Sequence, residues 1–170
     1  MILGAWHFSW TVADIERSIA FYCENFSFEV VHRQEQSNGY TETLVGIPGA
    51  HLKAALLRFR GLPAPPSNHV IELIEYVGPK GTKLDTTPNN IGAAHLAFLV
   101  SDVPARYQEL KDKGVRFLSP PVAITGGVNK GGYTCYLKDP DDFTLEILQP
   151  SPERLQAAFA AAGISGSPDD

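Results

Sequence analysis

The stretch "AAHLAFLVSD" at residues 93–102 places His95 in an apolar run that leads to Asp102. An earlier stretch, "AWHFSWTVAD" at residues 5–14, has the same arrangement, with His7 seven residues before Asp14. Runs rich in aromatic and β-branched residues are typical of strands, and aspartate is a preferred helix N-cap. Each stretch therefore predicts a strand followed by a helix, with a histidine at the same distance from the cap.

The same order of elements follows both stretches. Hydrophobic patterning predicts three strands after the first helix, over 27–34, 51–59 and 69–77. It predicts three more after the second helix, over 114–120, 133–139 and 143–150. The chain is thus predicted to be an α+β protein made of two tandem βαβββ modules.

The module boundaries follow from composition. Residues 1–77 form the first module, and the Gly-, Pro- and Thr-containing segment 78–90 is predicted to be a linker. Residues 91–150 form the second module. The alanine-rich start of the tail 151–170 favours a short helix.

Each module also ends on a strand that carries a glutamate. Glu72 lies in "VIELIEY" and Glu146 in "TLEILQ". Glu75 competes with Glu72, but strand alternation puts these two on opposite faces, and Glu72 occupies the place that Glu146 has in the other module. A single histidine or glutamate in a strand is usually structural, but its recurrence at matching places favours a shared function. Approximate twofold symmetry between the modules would let the two histidines and two glutamates converge.

Two imidazoles and two carboxylates suit one divalent transition metal, such as Ni, Co, Zn, Mn or Fe(II). They would leave coordination positions open for water or substrate, as a catalytic metal requires. The predicted ligands are therefore His7, Glu72, His95 and Glu146. The remaining histidines have no counterpart in the other module and are expected to be surface or core residues, with His51 in reserve for a supporting role; they are His32, His51 and His69.

Charge and composition limit the partners. The 170-residue chain has a net charge of −5 and no dense Lys/Arg run, which argues against nucleic acid or an anionic membrane as a partner. No apolar run approaches the ~20 residues that span a bilayer, and the start lacks the pattern of a secretory signal. We expect a cytoplasmic protein that acts on a small molecule. Cys23 and Cys135 lack metal-type spacing and are expected to be reduced packing residues.

Four motifs resemble the vicinal oxygen chelate superfamily, and the resemblance extends over residues 3–150. They are "HFSWTVADIERSIAFY", "VIELIEY", "GAAHLAFLVSDV" and "YLKDPDDFTLEILQP". The superfamily includes glyoxalase I, methylmalonyl-CoA epimerase, fosfomycin- and bleomycin-resistance proteins and extradiol dioxygenases. The resemblance implies that the modules form a cupped, eight-stranded mixed sheet around a metal site, and that the chain forms a homodimer. The family turn "DPDGN" is "DPDDF" here, which should affect the turn more than the chemistry.

The His–Glu–His–Glu order is similar to that of bacterial glyoxalase I. This likeness implies a metal-dependent isomerase, epimerase or lyase that removes a proton next to a metal-chelated carbonyl. Glu146 would be the base and Glu72 the permanent ligand, although the two could exchange roles. The family holds glutathione with an arginine and an asparagine where this chain has Thr11 and Tyr76, so glutathione dependence is not expected.

Substrate contacts are expected from one loop and from aromatic residues. The glycine-containing loop 124–132 would border the substrate, with Lys130 facing an anionic group. Trp6 and Tyr40 could line an apolar pocket with other aromatic residues. The complete set of expected substrate-binding residues is Trp10, Thr11, Tyr76, Asn129, Lys130 and Tyr133.

Two alternatives remain open. The first is an Fe(II)-dependent extradiol-type dioxygenase, which needs two histidines and one carboxylate. A fourth ligand at Glu72 speaks against it, because that position should stay free for oxygen and substrate. The second alternative is a bleomycin-resistance-like binding protein without catalysis, which the four ligand-type residues disfavour. The sequence does not identify the substrate.

Overall fold

A computed structural model describes residues 1–2 and 4–163. The chain divides into two compact units, Met1–Leu84 and a second that begins at Asp85. The division falls inside the segment 78–90 that was expected to be a linker. Each unit carries its own mixed sheet, and the α+β class is confirmed.

The first unit contains two helices and four strands. In chain order they are β1 (Phe8–Thr11), α1 (Ile15–Phe26), β2 (Phe28–Gln36), α2 (Gly39–Val45), β3 (His51–Phe59) and β4 (Ile71–Gly78). The sheet order is β1-β4-β3-β2. β1 runs parallel to β4, and the other neighbours are antiparallel. The first and last strands of the unit are therefore side by side.

Helix α1 supplies the apolar cover of this sheet. Asp14 caps the helix, since its side chain accepts from Arg17 N at 3.0 Å. The buried side of the helix includes Ile15 and Tyr22, and the sheet contributes the fully buried residues Phe28, Leu57, Ile71 and Leu73. This burial fixes which face of the sheet is the core.

Helix α2 was not predicted. The pair Asn38-Gly39, which is typical of a turn, begins a helix here, because Asn38 adopts an extended backbone and its side chain accepts from Thr41 N at 3.0 Å. Asparagine serves both turns and helix N-caps, so this pair alone does not distinguish the two. The strand predicted within residues 5–14 is short, since β1 has only the four residues Phe8–Thr11.

The second unit repeats the plan. Its elements are β5 (His95–Leu99), α3 (Val103–Asp112), β6 (Arg116–Phe117), β7 (Val122–Ala123), β8 (Tyr133–Lys138), β9 (Thr144–Gln149) and α4 (Pro152–Ala162). The sheet order is β5-β9-β8-β6, and β7 also pairs with β8. β5 runs parallel to β9, and all other pairs are antiparallel. First and last strands again lie side by side.

The described part of the chain has nine strands instead of eight. The additional one arises because the strand after α3 is interrupted between β6 and β7 by Pro120 and Pro121, which have no N–H to donate to the ladder. Helix α4 occupies the start of the tail in which a short helix was expected, whereas residues 164–170 of that tail lie outside the described residues. Within the described ranges, no helix is long and apolar enough to cross a bilayer.

The turn between β8 and β9 departs from the family pattern. Asp142 has φ 69°, a left-handed conformation that glycine adopts without steric cost. Its side chain pairs with the guanidinium of Arg116. The buried Asp139 carboxylate accepts from Asp141 N at 2.9 Å and from Phe143 N at 2.8 Å. These bonds maintain the turn with aspartate in the place of glycine.

Candidate functional site

The parallel pairing of β1 and β4 brings His7 and Glu72 together. Phe8 pairs with Ile71 and Ser9 with Glu72, so His7 lies at the level where β4 begins. His7 Nε2 is 3.3 Å from Glu72 Oε2. The Glu72 side chain is 15% exposed and that of His7 is 28% exposed. A partly buried carboxylate thus faces an imidazole nitrogen.

The second unit repeats this geometry with His95 and Glu146. His95 pairs with Thr144 and Ala97 with Glu146, so the residue two after the histidine is opposite the glutamate, as in the first unit. His95 Nε2 is again 3.3 Å from Glu146 Oε2. Glu146 is 12% exposed, and His95 is exposed. The repeat predicted from the His–Asp spacing therefore extends to the strand register and to the pair distance.

Each pair projects from the sheet face opposite the apolar core. The residues on either side of Glu146, Leu145 and Ile147, are fully buried, as are Ile71 and Leu73 beside Glu72. Alternation along a strand sends the glutamate to the other face. Both carboxylates are therefore available on the face that the core does not occupy.

Glu75 has a different role from Glu72. Its Oε2 accepts from Ile15 N at 3.1 Å, at the start of α1, and its Oε1 accepts from Lys80 Nζ at 3.1 Å. The backbone hydrogen bond from Ile15, assisted by Lys80, holds the pKa of Glu75 below its usual value. Glu75 thus supports the helix N-terminus from the core face.

A further side chain contacts the histidine of one His–Glu pair and the glutamate of the other. In the first unit the histidine is held: His7 Nδ1 is 3.1 Å from Nε2 of the buried His69. In the second unit the glutamate is held: Thr134 Oγ1 donates to Glu146 Oε1 at 2.5 Å. Across residues 1–2 and 4–163, no hydrogen bond is found at Glu72 Oε1 or at His95 Nδ1. The repeat is therefore symmetrical in its pairs but not in their supports.

Tyr136 flanks the second pair. It is opposite Glu146 in the register of β8 and β9, and its ring centroid lies 5.1 Å from that of His95. Burial raises the pKa of Tyr136, and the Glu146 carboxylate adds to that rise. The phenol is thus kept protonated beside the pair.

The expected substrate-binding residues are distributed over both faces. Thr11 and Tyr76 are on strands β1 and β4 and, by alternation, share the face of Glu72. Trp10 lies on the core face, where its ring meets that of Tyr22 edge-on at 5.5 Å. By the same alternation, Tyr133 shares the side of the sheet that carries the core residues.

Asn129 and Lys130 lie in the loop between β7 and β8. The loop is closed by bonds from Gly131 N to Ile124 O at 2.9 Å and from Gly132 N to Asn129 O at 3.0 Å. Asn129 Oδ1 is buried and has no hydrogen-bond partner among the described residues, whereas Lys130 is exposed. Trp6 and Tyr40, two further aromatic residues of interest, are mostly exposed.

His69 and Thr134 were missed as site residues by the sequence prediction. His69 has no counterpart in the second module, so the repeat gave no reason to select it. Its place becomes evident only from the parallel register of β1 and β4, which puts His7 level with the residues just before Ile71. Thr134 could have been found once β8 was paired with β9, because it lies two residues from Tyr136, the partner of Glu146, and is therefore a diagonal neighbour of Glu146 on the same face. His51, which was the next candidate for a supporting role, instead places its Nε2 2.6 Å from Glu35 Oε1.

The donor set fits a divalent transition metal. In the described residues no three His, Cys, Asp or Glu side chains form one metal-holding group. Each pair nevertheless offers one nitrogen and one oxygen at 3.3 Å. Two ligands bound at 2.0–2.1 Å with a tetrahedral angle would be about 3.3 Å apart. The spacing within each pair is compatible with two ligands of one ion, and equally with a His–Glu ion pair.

Curated relatives carry enzyme names. The chain is 30% identical over 146 residues to a 2-epi-5-epi-valiolone epimerase of Actinomyces sp., covering 84% of this chain and 76% of the epimerase. It is 28% identical over 149 residues to a lactoylglutathione lyase of Arabidopsis thaliana, covering 86% of this chain and 45% of the lyase. The chain thus spans about half the length of that plant relative.

The fold and the sequence profile agree. A glyoxalase family protein of Bacillus cereus superposes with a TM-score of 0.71 at 17% identity, covering 89% of this chain and 96% of the other, which is a likeness of fold. The profile described as the glyoxalase/bleomycin resistance protein/dioxygenase superfamily matches residues 5–147, from the strand before the first helix to the strand that carries Glu146. Since this match extends over more than half of the chain, the chain belongs to the glyoxalase/bleomycin resistance protein/dioxygenase superfamily.

Proposed function

We propose that the chain is a divalent-metal-dependent enzyme that moves a proton at the carbon next to a carbonyl of a small substrate. The reaction would be an isomerisation, an epimerisation or a lyase reaction. The observation that supports this proposal most is the repeated His–Glu pair, with the same register and the same 3.3 Å separation in both units. Relatives named as a lyase and an epimerase agree with this reaction class.

Four residues would hold the metal, namely His7, Glu72, His95 and Glu146. The metal, when bound, supplies a Lewis acid that polarises the carbonyl and makes the adjacent C–H more acidic. Nickel, cobalt, zinc, manganese and Fe(II) are all compatible with two nitrogen and two oxygen donors. The two histidines are neutral donors, so the carboxylates carry the negative charge of the site.

Proton transfer is assigned to the carboxylates. Glu146 accepts the proton as the C–H bond breaks, and the electron pair moves towards the carbonyl oxygen. Returning the proton to the neighbouring carbon gives isomerisation, whereas epimerisation requires a second proton donor on the opposite face of the same carbon. Thr134 donates to Oε1 of Glu146, so Oε2 would serve either as the metal ligand or as the oxygen that takes the proton, and not as both at once. Glu72 remains the permanent ligand in this assignment, with exchange of the two roles as the alternative.

Glutathione dependence is not part of the proposal. Thr11 and Tyr76 lie on the same face of their sheet as Glu72. Neither side chain carries the positive charge that would pair with the carboxylates of glutathione. The homodimer predicted from the family resemblance belongs to the proposal as well, and light scattering of the purified chain would measure it.

The first experiment determines the metal and the reaction together. Protein purified without chelators is analysed for metal and then loaded with Ni, Co, Mn, Zn or anaerobic Fe(II). Each form is assayed with 2-oxoaldehyde thiohemiacetals, acyl-CoA epimers and catechols. We expect one ion per pair of units and turnover of a substrate with an acidic C–H beside a carbonyl. Oxygen uptake with a catechol by the iron form would instead support the dioxygenase, and tight binding without turnover would support the binding protein.

A substitution tests the base. Glu146→Gln keeps an oxygen ligand but cannot accept the proton, so it should retain metal and lose activity by ~100-fold or more. Glu153→Gln is the matched control, because Glu153 is exposed on α4 of the same unit. Full activity of Glu146→Gln would contradict the assignment of Glu146 and direct attention to Glu72.

A further inference from the structure

A chain of two hydrogen bonds leads from His7 to the backbone. His7 Nδ1 is 3.1 Å from His69 Nε2, and His69 Nδ1 is 2.8 Å from the Ser67 carbonyl oxygen. We infer that His69 is a positioning residue that keeps a proton of His7 on Nδ1, so that Nε2 is the His7 nitrogen that faces the Glu72 carboxylate and can serve as a metal ligand. The inference rests on the proposed metal site for its purpose, but the proton position can be measured without metal.

The direction of the two hydrogen bonds follows from the last acceptor, which is the Ser67 carbonyl oxygen. A carbonyl oxygen can only accept, so His69 Nδ1 must donate to Ser67. A neutral imidazole has one N–H, and His69 Nε2 is then an acceptor. His7 Nδ1 must donate to it, which leaves the lone pair of a neutral His7 on Nε2. That nitrogen lies 3.3 Å from Glu72 Oε2, and it is the atom needed as a metal ligand.

The position of His69 is rigid. The residue is only 2% exposed, and its backbone carbonyl accepts from Ser67 Oγ at 2.6 Å. The next residue, Val70, is fixed between two strands, donating to Leu57 O at 2.8 Å and accepting from Phe8 N at 3.1 Å. The Trp6 ring lies edge-on to the His69 ring at 5.9 Å. A buried imidazole that uses both nitrogens and is held from both sides is suited to orient its neighbour.

Over residues 85–163, the second unit has no equivalent of His69 and can be compared with the first. His95 forms the same 3.3 Å pair with its glutamate, but its ring neighbour is Tyr136, and among the described residues no group accepts from His95 Nδ1. His95 is also more exposed than His7. The surroundings of His95 therefore do not restrict it to one tautomer, whereas the hydrogen bond to His69 restricts His7 to one.

The proton position can be read in the metal-free protein. Long-range ¹H–¹⁵N correlation spectra of protein labelled in histidine distinguish N–H from bare imidazole nitrogens, and histidine substitutions assign the signals. We expect an N–H at Nδ1 of both His7 and His69 and a bare Nε2 at His69. A bare Nδ1 at His7 would overturn the inference, whatever the fate of any variant. The proposed function can fail separately, since a protein that binds no metal would still yield this spectrum.

Two variants test the consequence for a metal. His69→Leu removes the acceptor, and His69→Gln retains an oxygen near the place of Nε2. Calorimetric titration with Co²⁺ should show about 10- to 100-fold weaker binding for His69→Leu. His69→Gln should bind within about threefold of the unmodified chain. The control is His51→Leu, the same change at a histidine that pairs with Glu35. Equal binding by His69→Leu and the unmodified chain, or equally weak binding by both His69 variants, would overturn the inference.

Discussion

Thr134 Oγ1 lies 2.5 Å from Oε1 of Glu146 and 3.1 Å from the carbonyl oxygen of Ile147. The carboxylate is the nearer and the charged acceptor, so the hydroxyl proton goes to Glu146. This bond fixes the rotation of the carboxylate and directs Oε2 towards His95. Glu72 has no equivalent donor within the described chain, which makes Glu146 the better oriented of the two carboxylates.

Replacing Thr134 by valine should therefore loosen Glu146 without changing the volume of the side chain. We expect Thr134→Val to bind metal about 10-fold more weakly and to turn over substrate more slowly, as is usual when a residue that supports a ligand is removed. Thr134→Ser retains the hydroxyl and should be close to the unmodified chain. Calorimetric titration and steady-state kinetics measure both effects. Unchanged values for the valine variant would show that Glu146 does not depend on this bond.

The loop between β7 and β8 depends on the absence of a side chain at Gly132. A Cβ there would lie 2.0 Å from Gln149 O and 2.8 Å from Pro150 O. The contacts are with backbone atoms, so Gly132→Ala must displace either the loop or the end of β9. We expect it to lower the free energy of unfolding by about 2 kcal/mol, as overpacked sites do. Urea denaturation followed by circular dichroism measures the change.

The matched control for that loop is Gly126→Ala. A Cβ at Gly126 would have no neighbour within 4 Å, and its backbone does not require glycine. This variant should be within about 0.5 kcal/mol of the unmodified chain. Equal stability of the two alanine variants would contradict the close approach of Gly132 to β9.

The sequence was sufficient for the features that repeat. The seven-residue spacing from His7 to Asp14 and from His95 to Asp102 corresponds to a strand followed by a capped helix in both units. The preference for Glu72 over Glu75 agrees with their positions on opposite faces, because alternation is a local property of a strand. Local periodicity and capping preferences therefore predicted the strand–helix order that both units share.

The features that occur in only one unit could not be predicted from the sequence and became evident only in the structure. His69 acts on His7 across 62 residues of sequence, and this contact depends on the parallel register of two strands. Register is determined by the packing of whole strands and cannot be obtained from a histidine count. Helix α2 was missed for a different reason, because Asn38-Gly39 suits a turn and a helix start equally well. Long-range contacts and ambiguous caps thus limited the prediction.

The two cysteines should be unreactive in the folded protein. Cys135 is 3% exposed, and burial, together with the Glu146 charge, raises its pKa to about 11. At pH 8 about one molecule in a thousand would carry a Cys135 thiolate, the reactive form. Burial also raises the pKa of Cys23. We expect slow reaction with a disulfide reagent at pH 8 and rapid reaction of both thiols in urea; fast labelling of Cys135 in the native protein would contradict its burial.

Glu75 should make stability depend on pH. Its pKa is lowered in the folded chain by Ile15 N and Lys80, so its contribution is complete above the ordinary value near 4.5 and is lost as the pH falls through the folded pKa. Glu75→Gln removes the charge at the start of α1. It should cost about 1 kcal/mol at pH 7 and less at pH 3.5, because the contribution of the carboxylate decreases once the pH is below the ordinary value near 4.5.

Urea denaturation at the two pH values measures this difference. Glu24→Gln is the control, because Glu24 is exposed near the other end of α1 and should leave the free energy of unfolding unchanged within about 0.5 kcal/mol. A loss in Glu75→Gln that is equally large at pH 3.5 and pH 7 would assign the effect to packing. A loss that shrinks with falling pH would assign it to the carboxylate that accepts from Ile15 N, since only an ionised group follows that titration.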